Sequence, residues 1–265
     1  MTDRLREAAA RWQAARRAAV VVEVAAARGS VPRGAGTRML VAEDEVAGTI
    51  GGGHLEWQAI ALARRMLASE AAGSVERDLA LGPSLGQCCG GTVRLRLAPL
   101  GAEDLQAWPC APERFFLQLH GAGHVGRAII ALLRGIACQV QWIDGREAPF
   151  PAEPLPPHIE ALCVDAVEAE VARAPAGACF LVMTHSHALD LAIVEAILRR
   201  DDFAWAGLIG SRTKRASFAQ RLRARGVEPS RIERLACPIG LPGIAGKEPE
   251  VIAVATVAQL LALRR

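Results

Sequence analysis

Two adjacent thiols, Cys88 and Cys89, stand between Gly86 and the pair Gly90-Gly91. Adjacent cysteines close a disulfide only with strain, so they make poor staples. Thiols beside flexible backbone suit a soft metal or a transferable sulfur instead. Zinc fits poorly, because no second Cys-x-x-Cys or His-x-x-x-His supplies the missing ligands. The plainer alternative is a pair of small residues buried at the start of a strand. Cys110, Cys138, Cys163, Cys179 and Cys237 have no metal-like spacing.

A second constellation is Gly121-Ala122-Gly123-His124-Val125-Gly126. An apolar run, Phe115 to Leu119, leads into it, and a helical pattern follows. This Gly-x-Gly-x-x-Gly turn lets backbone approach a pyrophosphate at a helix N-terminus. Asp144 ends the next apolar run, 18 residues past Gly126, about where dinucleotide folds place the acid that bonds a ribose. Arg146 leaves room for a phosphate-bearing ligand. The alternative is a fold of this type that keeps its glycines for packing alone.

Further candidates are less specific. Gly51-Gly52-Gly53 opens a helix and forms a ready anion nest, with Glu56 as acid, base or ligand. Glu in a first helical turn also simply complements the dipole. Arg28 and Arg33 flank a second Gly-rich loop. His185 and His187 follow a strand end, where open α/β sheets bind ligands, and Asp190 is a candidate helix cap. Ser211 and Lys214 sit in a loop that misses the spacing of a P-loop but suits an anion at a helix start.

The elements that position these groups change rhythm midway. Residues 1–98 read as an α+β domain: a helix over 5–18, a strand over 19–27, a hairpin of 37–42 and 46–50, a helix from 54 to about 71, and strands at 75–81 and 92–97. Residues 99–113, with three prolines up to Pro112, read as a linker. Residues 114–265 alternate strands (115–119, 139–143, 161–164, 179–184, 205–209) with helices near 125–134, 166–173, 189–200, 212–225 and 250–263. That alternation predicts a Rossmann-like, doubly wound parallel sheet, so the fold class is α/β. Five prolines from Pro149 to Pro157 predict a loop in place of the second crossover helix.

Composition excludes other classes. A net charge of +3, from 31 basic and 28 acidic residues, gives no case for nucleic acid or an anionic membrane. Tyr is absent, which removes an aromatic base-stacking platform. No uncharged apolar stretch is long enough to span a bilayer, and Met1 to Arg17 lacks the core of a signal peptide. An odd count of 7 cysteines argues against a disulfide framework and for the cytoplasm.

The motifs resemble those of one family in order along nearly the whole chain. Gly29-Ser-Val-Pro-Arg33, Gly48-Thr-Ile-Gly-Gly-Gly-His-Leu-Glu56 and Leu85-Gly-Gln-Cys-Cys-Gly-Gly91 resemble the first domain of xanthine dehydrogenase accessory proteins of the XdhC/CoxI type. Gly121–Gly126, Asp144-Gly-Arg146, Thr184-His-Ser-His-Ala-Leu-Asp190, Ile209-Gly-Ser-Arg-Thr-Lys214 and Pro238-Ile-Gly-Leu-Pro-Gly-Ile244 resemble its second. The resemblance implies a chaperone, not an enzyme, that binds molybdenum cofactor (molybdopterin or its dinucleotide form), protects its sulfurated state and inserts it into xanthine dehydrogenase or a related hydroxylase. It implies a cysteine desulfurase partner and a homodimer, with Cys88 and Cys89 at the metal end. Two other readings stand beside it: an NAD(P)- or flavin-dependent oxidoreductase, and a sulfurtransferase carrying a persulfide.

Overall fold

The computed structural model describes residues 3–69, 73–81, 90–102, 105–108, 112–147 and 149–263. The chain divides into two compact units, Met1–Ala111 and Pro112–Arg265.

In the first unit the order is α1 (Asp3–Ala14), β1 (Ala19–Arg28), β2 (Arg38–Ala42), β3 (Val46–Gly48), α2 (Gly53–Ala68), β4 (Val75–Ala80) and β5 (Thr92–Pro99). The strands form an antiparallel sheet in the order β3-β2-β1-β5-β4. β1 is rich in valine, which packs well on a pleated surface. Leu55, Ala59, Ala63 and Met66 recur at helical spacing and bury one face of α2 against Val20, Val22, Leu95 and Leu97. The opposite face of the sheet is covered by Leu5, Ala9 and Trp12 of α1. Leu100 and Trp108, from the stretch read as a linker, are buried in that same cluster. Glu23 of β1 is clasped across the sheet by Arg38 of β2 at 2.6 Å and Arg96 of β5 at 3.0 Å.

The second unit contains β6 (Phe116–His120), α3 (His124–Leu133), β7 (Gln139–Asp144), β8 (Ile159–Cys163), β9 (Cys179–Val182), α4 (His187–Arg200), β10 (Trp205–Leu208), α5 (Arg212–Ala224), α6 (Pro229–Glu233), β11 (Leu235–Ala236) and α7 (Pro249–Leu261). All neighbouring strands are parallel, in the order β11-β10-β9-β6-β7-β8. Counted from β6 as strand 1, this is the Rossmann order 3-2-1-4-5-6. α3 and α7 cover one face and α4, α5 and α6 the other. The Rossmann-like sheet preceded by an α+β unit is the fold class expected from the strand–helix alternation.

Three local features depart from the expectation or sharpen it. No helix joins β7 to β8 among the described residues, as the prolines there require. Val167–Arg173 is a 3-10 helix rather than an α-helix, cut short by Pro175. α6 and the two-residue β11 have no counterpart in the sequence reading, because neither is long enough to show a period.

Candidate functional site

The strand order reverses direction between β6 and β9, one connection leading through α3 to β7 and the other through α4 to β10. The crevice at such a switch point, beyond the carboxyl ends of the strands, is where open α/β sheets bind ligands. Gly121, Gly123, His124 and Gly126 follow β6; Asp144 and Arg146 end β7; His185 and His187 follow β9; Ser211 and Lys214 follow β10. These ten residues, scattered over 94 positions of sequence, therefore share one sheet edge.

The three glycines have different jobs. Gly121 has φ +120°, and a Cβ there would lie 2.4 Å from the Met183 carbonyl oxygen. A Cβ on Gly126 would lie 2.3 Å from the Gly121 oxygen, so this glycine lets α3 sit down on β6. Gly123 is the N-cap of α3 with an extended backbone, and a Cβ there would meet nothing within 4 Å. The first and third glycines serve packing. The middle one faces open space at the helix N-terminus, with no side chain capping it among the described residues.

Asp144 is spent within the chain. Its Oδ2 accepts from the Ala122 amide at 2.7 Å and Arg146 Nη2 at 2.7 Å. Its Oδ1 accepts from the Arg146 amide and Arg146 Nε, both at 2.9 Å. A carboxylate offers about four acceptor positions, and these bonds fill them. Burial alone would raise its pKa; the Arg146 guanidinium and the two amides outweigh that and hold the carboxyl down at about 2.

Lys214 is committed as well. Its ammonium donates to Asp190 Oδ2 at 2.7 Å and to the Ile209 carbonyl at 2.9 Å. Asp190 is fully buried, and its Oδ1 accepts from the Thr184 amide at 2.9 Å and the Thr184 hydroxyl at 2.7 Å. The pair ties the loop after β9 to the loop after β10. Lys214 thus anchors the edge rather than meeting an anion directly, and Ser186, not Asp190, caps α4. Asp190 carried a legible signal: it is an acid on the buried stripe of a helix, beside Leu191, Ile193 and Val194, and such an acid needs a partner.

His124, His185 and His187 are exposed. Ser211 caps α5 through the Lys214 amide at 3.2 Å. Among the described residues no group of His, Cys, Asp or Glu has the arrangement of a metal site.

His120, the last residue of β6, was not among the sequence candidates. It is fully buried, and neither ring nitrogen has a partner among the described residues. Burial pushes its pKa down to about 3. Below about 6.5 the unfolded chain takes up a proton that the folded chain refuses, so stability falls as pH drops from 6.5 toward 3. At pH 5 the penalty is about 2 kcal/mol. Urea unfolding at pH 7.5 and pH 5 should show a drop about that much larger in the native protein than in His120→Leu. Equal drops in the two proteins would remove His120 from the account.

In the first unit, Glu56 folds back over the glycine turn. Its Oε2 accepts from the Ile50 amide at 3.1 Å, the Gly52 amide at 3.2 Å and the Thr49 hydroxyl. Gly51 has φ +130°, and a Cβ there would strike Pro32 at 2.6 Å. Of the triplet Gly51, Gly52 and Gly53, the Gly52 amide is thus already taken by a carboxylate from its own helix, and the Gly51 amide by the Thr49 hydroxyl oxygen. Trp57, one residue on, is 65% exposed and lies 5.4 Å from the His54 ring. Cys88 and Cys89 lie outside the described residues. Gly91, just after them, is described, and a Cβ there would meet the Arg28 and Ser30 carbonyl oxygens at 2.5 and 2.6 Å.

Comparison with known proteins adds to this geometry. The profile of the XdhC Rossmann domain matches residues 117–260, and that of the XdhC and CoxI family matches residues 12–77. YqeB of Escherichia coli K12, itself uncharacterized, is 26% identical over 248 residues, which cover 92% of this chain and 43% of YqeB. The chain therefore spans less than half the length of that relative. A crystal structure from Bacillus halodurans, described as a xanthine dehydrogenase, superimposes with a TM-score of 0.73 at 20% identity, over 99% of this chain and 96% of the other. That likeness concerns the fold.

Proposed function

Because the chain belongs to the XdhC and CoxI family, we propose that it is a molybdenum cofactor-binding chaperone that protects the sulfurated cofactor and inserts it into xanthine dehydrogenase or a related molybdenum hydroxylase. The observation that carries the reading is Gly123: it holds an uncapped helix N-terminus open at the switch-point crevice, where a phosphate suits the amides and the dipole. The donor set fits such an anion. Asp144 and Asp190, buried acids of this edge, are both neutralised by cations of the chain.

In this reading the turn of Gly121, Gly123 and Gly126, with His124, His185 and His187, receives the phosphate end of molybdopterin or its dinucleotide form. Arg146 adds a guanidinium at the end of β7. Ser211, Lys214 and Asp190 hold the edge in shape. Cys88 and Cys89 shield the metal end, whose labile sulfido ligand suits soft thiolates. Gly51, Gly52, Gly53 and Glu56 supply a second, self-capped turn. The protein acts as a homodimer in the cytoplasm, takes its sulfurated cargo with a cysteine desulfurase, and performs no turnover of its own. An NAD-dependent oxidoreductase is the weaker reading, because the acid that would bond the ribose is fully occupied by Arg146 and two amides.

Protein purified from a cofactor-producing host should release a fluorescent oxidised pterin and carry molybdenum without oxidising any nicotinamide or flavin substrate. Bound nicotinamide or flavin with turnover, and no pterin, would overturn the reading.

A further inference from the structure

The crevice contains the parts of a dinucleotide site with one of them inverted. In such sites the acid at the end of the second strand takes the ribose 2′- and 3′-hydroxyls. Here Asp144 stands at that place, at the end of β7, but Arg146 Nε and Nη2 occupy one acceptor position on each of its oxygens, at 2.9 and 2.7 Å. The Ala122 and Arg146 amides occupy the others. The carboxylate is nearly buried, whereas the Arg146 side chain is 43% exposed. What faces solvent at the β7 end is therefore a guanidinium, with N–H groups beyond the two given to Asp144.

We infer that this crevice selects a ligand bearing an anionic group, of the phosphomonoester class, at the β7 end and rejects one bearing a free ribose diol, with Arg146 as the specificity-determining residue. The inference rests on the reading of this edge as a phosphate-ligand site and goes beyond it by naming what the second strand recognises. It has a converse. Removing the guanidinium leaves Asp144 with its two amide bonds and frees one acceptor position on each oxygen, the pair that a vicinal diol would fill. The freed carboxylate also repels a phosphate.

NADPH and NADH serve as probes, because they differ only in a phosphate on the adenosine ribose. Binding is read by nicotinamide fluorescence on the full chain, with Arg146→Ala and Arg146→Gln as variants. The native protein should prefer NADPH by roughly tenfold or more, the scale of losing one charge-assisted pair. Both variants should reverse the order, gaining NADH binding by a similar factor. Should the native crevice hold neither probe measurably, the gain of NADH binding in the variants alone decides. NADH binding equal to or tighter than NADPH in the native protein overturns the inference, as does an unchanged order in both variants. Circular dichroism shows whether the variants remain folded; one folded variant suffices. Pterin content of the same preparations reports separately on the proposed function, so a pterin-free protein with the expected probe order would remove the cofactor reading and leave this inference standing.

Discussion

Asp190→Ala should lower the unfolding free energy of the Rossmann-like unit by about 3–5 kcal/mol, the cost of leaving one partner of a buried ion pair uncompensated. Lys214 would lose its carboxylate at a side chain only 13% exposed, and the Thr184 amide and hydroxyl would lose their acceptor. A domain of this size has only about 5–15 kcal/mol in total, so much of the margin goes. The double variant Asp190→Leu, Lys214→Met should recover most of the loss, because well-packed apolar replacements of buried pairs are often neutral. Urea denaturation resolves both effects. A loss under about 1 kcal/mol for the single variant would mean that Lys214 finds water instead, and that the pair does not hold the two loops together.

Gly121→Ala should be nearly as damaging, at roughly 2–6 kcal/mol, and for a different reason. The added Cβ sits 2.4 Å from the Met183 oxygen, 2.8 Å from the Met183 carbonyl carbon and 3.2 Å from the Thr184 nitrogen. All three are backbone atoms at the end of β9, so no rotamer change relieves the overlap. The φ of +120° adds a conformation that side chains with a Cβ rarely adopt. Thermal unfolding of the variant against the native chain measures the loss. A melting temperature within a degree or two would show that the β6–α3 turn can shift away from β9, and that the crevice is softer than its contacts suggest.

Much of this fold is legible in the residues because its signals are local. The valines of β1 and the apolar run before Gly121 mark strands, and both are found within a residue or two. Proline density between 149 and 157 forecasts the missing crossover helix, because proline cannot donate to a helical ladder. The glycine turn and Asp144 announce the switch point before any strand order is known. What escapes is pairing across distance. Lys214 reads as a free cation, since nothing in the chain says that an aspartate 24 residues earlier will fold over it. Glu56 reads as a catalytic or ligating acid, but the turn before it curls back onto its own carboxylate. Asp144 reads as a ribose acceptor, and only the side-chain geometry of Arg146, two residues on, shows that its lone pairs are taken. His120 carries no signal at all, because a histidine ending a strand is as often exposed as buried.

These pairings share a consequence for mechanism. Arg146 with Asp144 and Lys214 with Asp190 each neutralise a charge that would otherwise stand at the sheet edge, and each pairing holds a loop without help from a ligand. The edge is therefore shaped in advance, which reduces the ordering cost that binding would otherwise carry. The exposed imidazoles of His124, His185 and His187 and the open N-terminus of α3 are left to meet a ligand.

Gly123 separates a site from a scaffold. Unlike Gly121 and Gly126, it has open space where a side chain would go and a φ that any residue accepts. Gly123→Val should therefore fold with a melting temperature close to that of the native chain while its branched side chain blocks the approach to the α3 N-terminus. The decisive measurement is the oxidised pterin released per mole of protein from native and Gly123→Val chains purified from the same cofactor-producing host. The account predicts pterin in the native protein and a loss of roughly tenfold or more in the folded variant, the scale of one charge-assisted contact. Equal pterin content in a folded Gly123→Val protein would contradict it and reduce the glycine turn to a packing device.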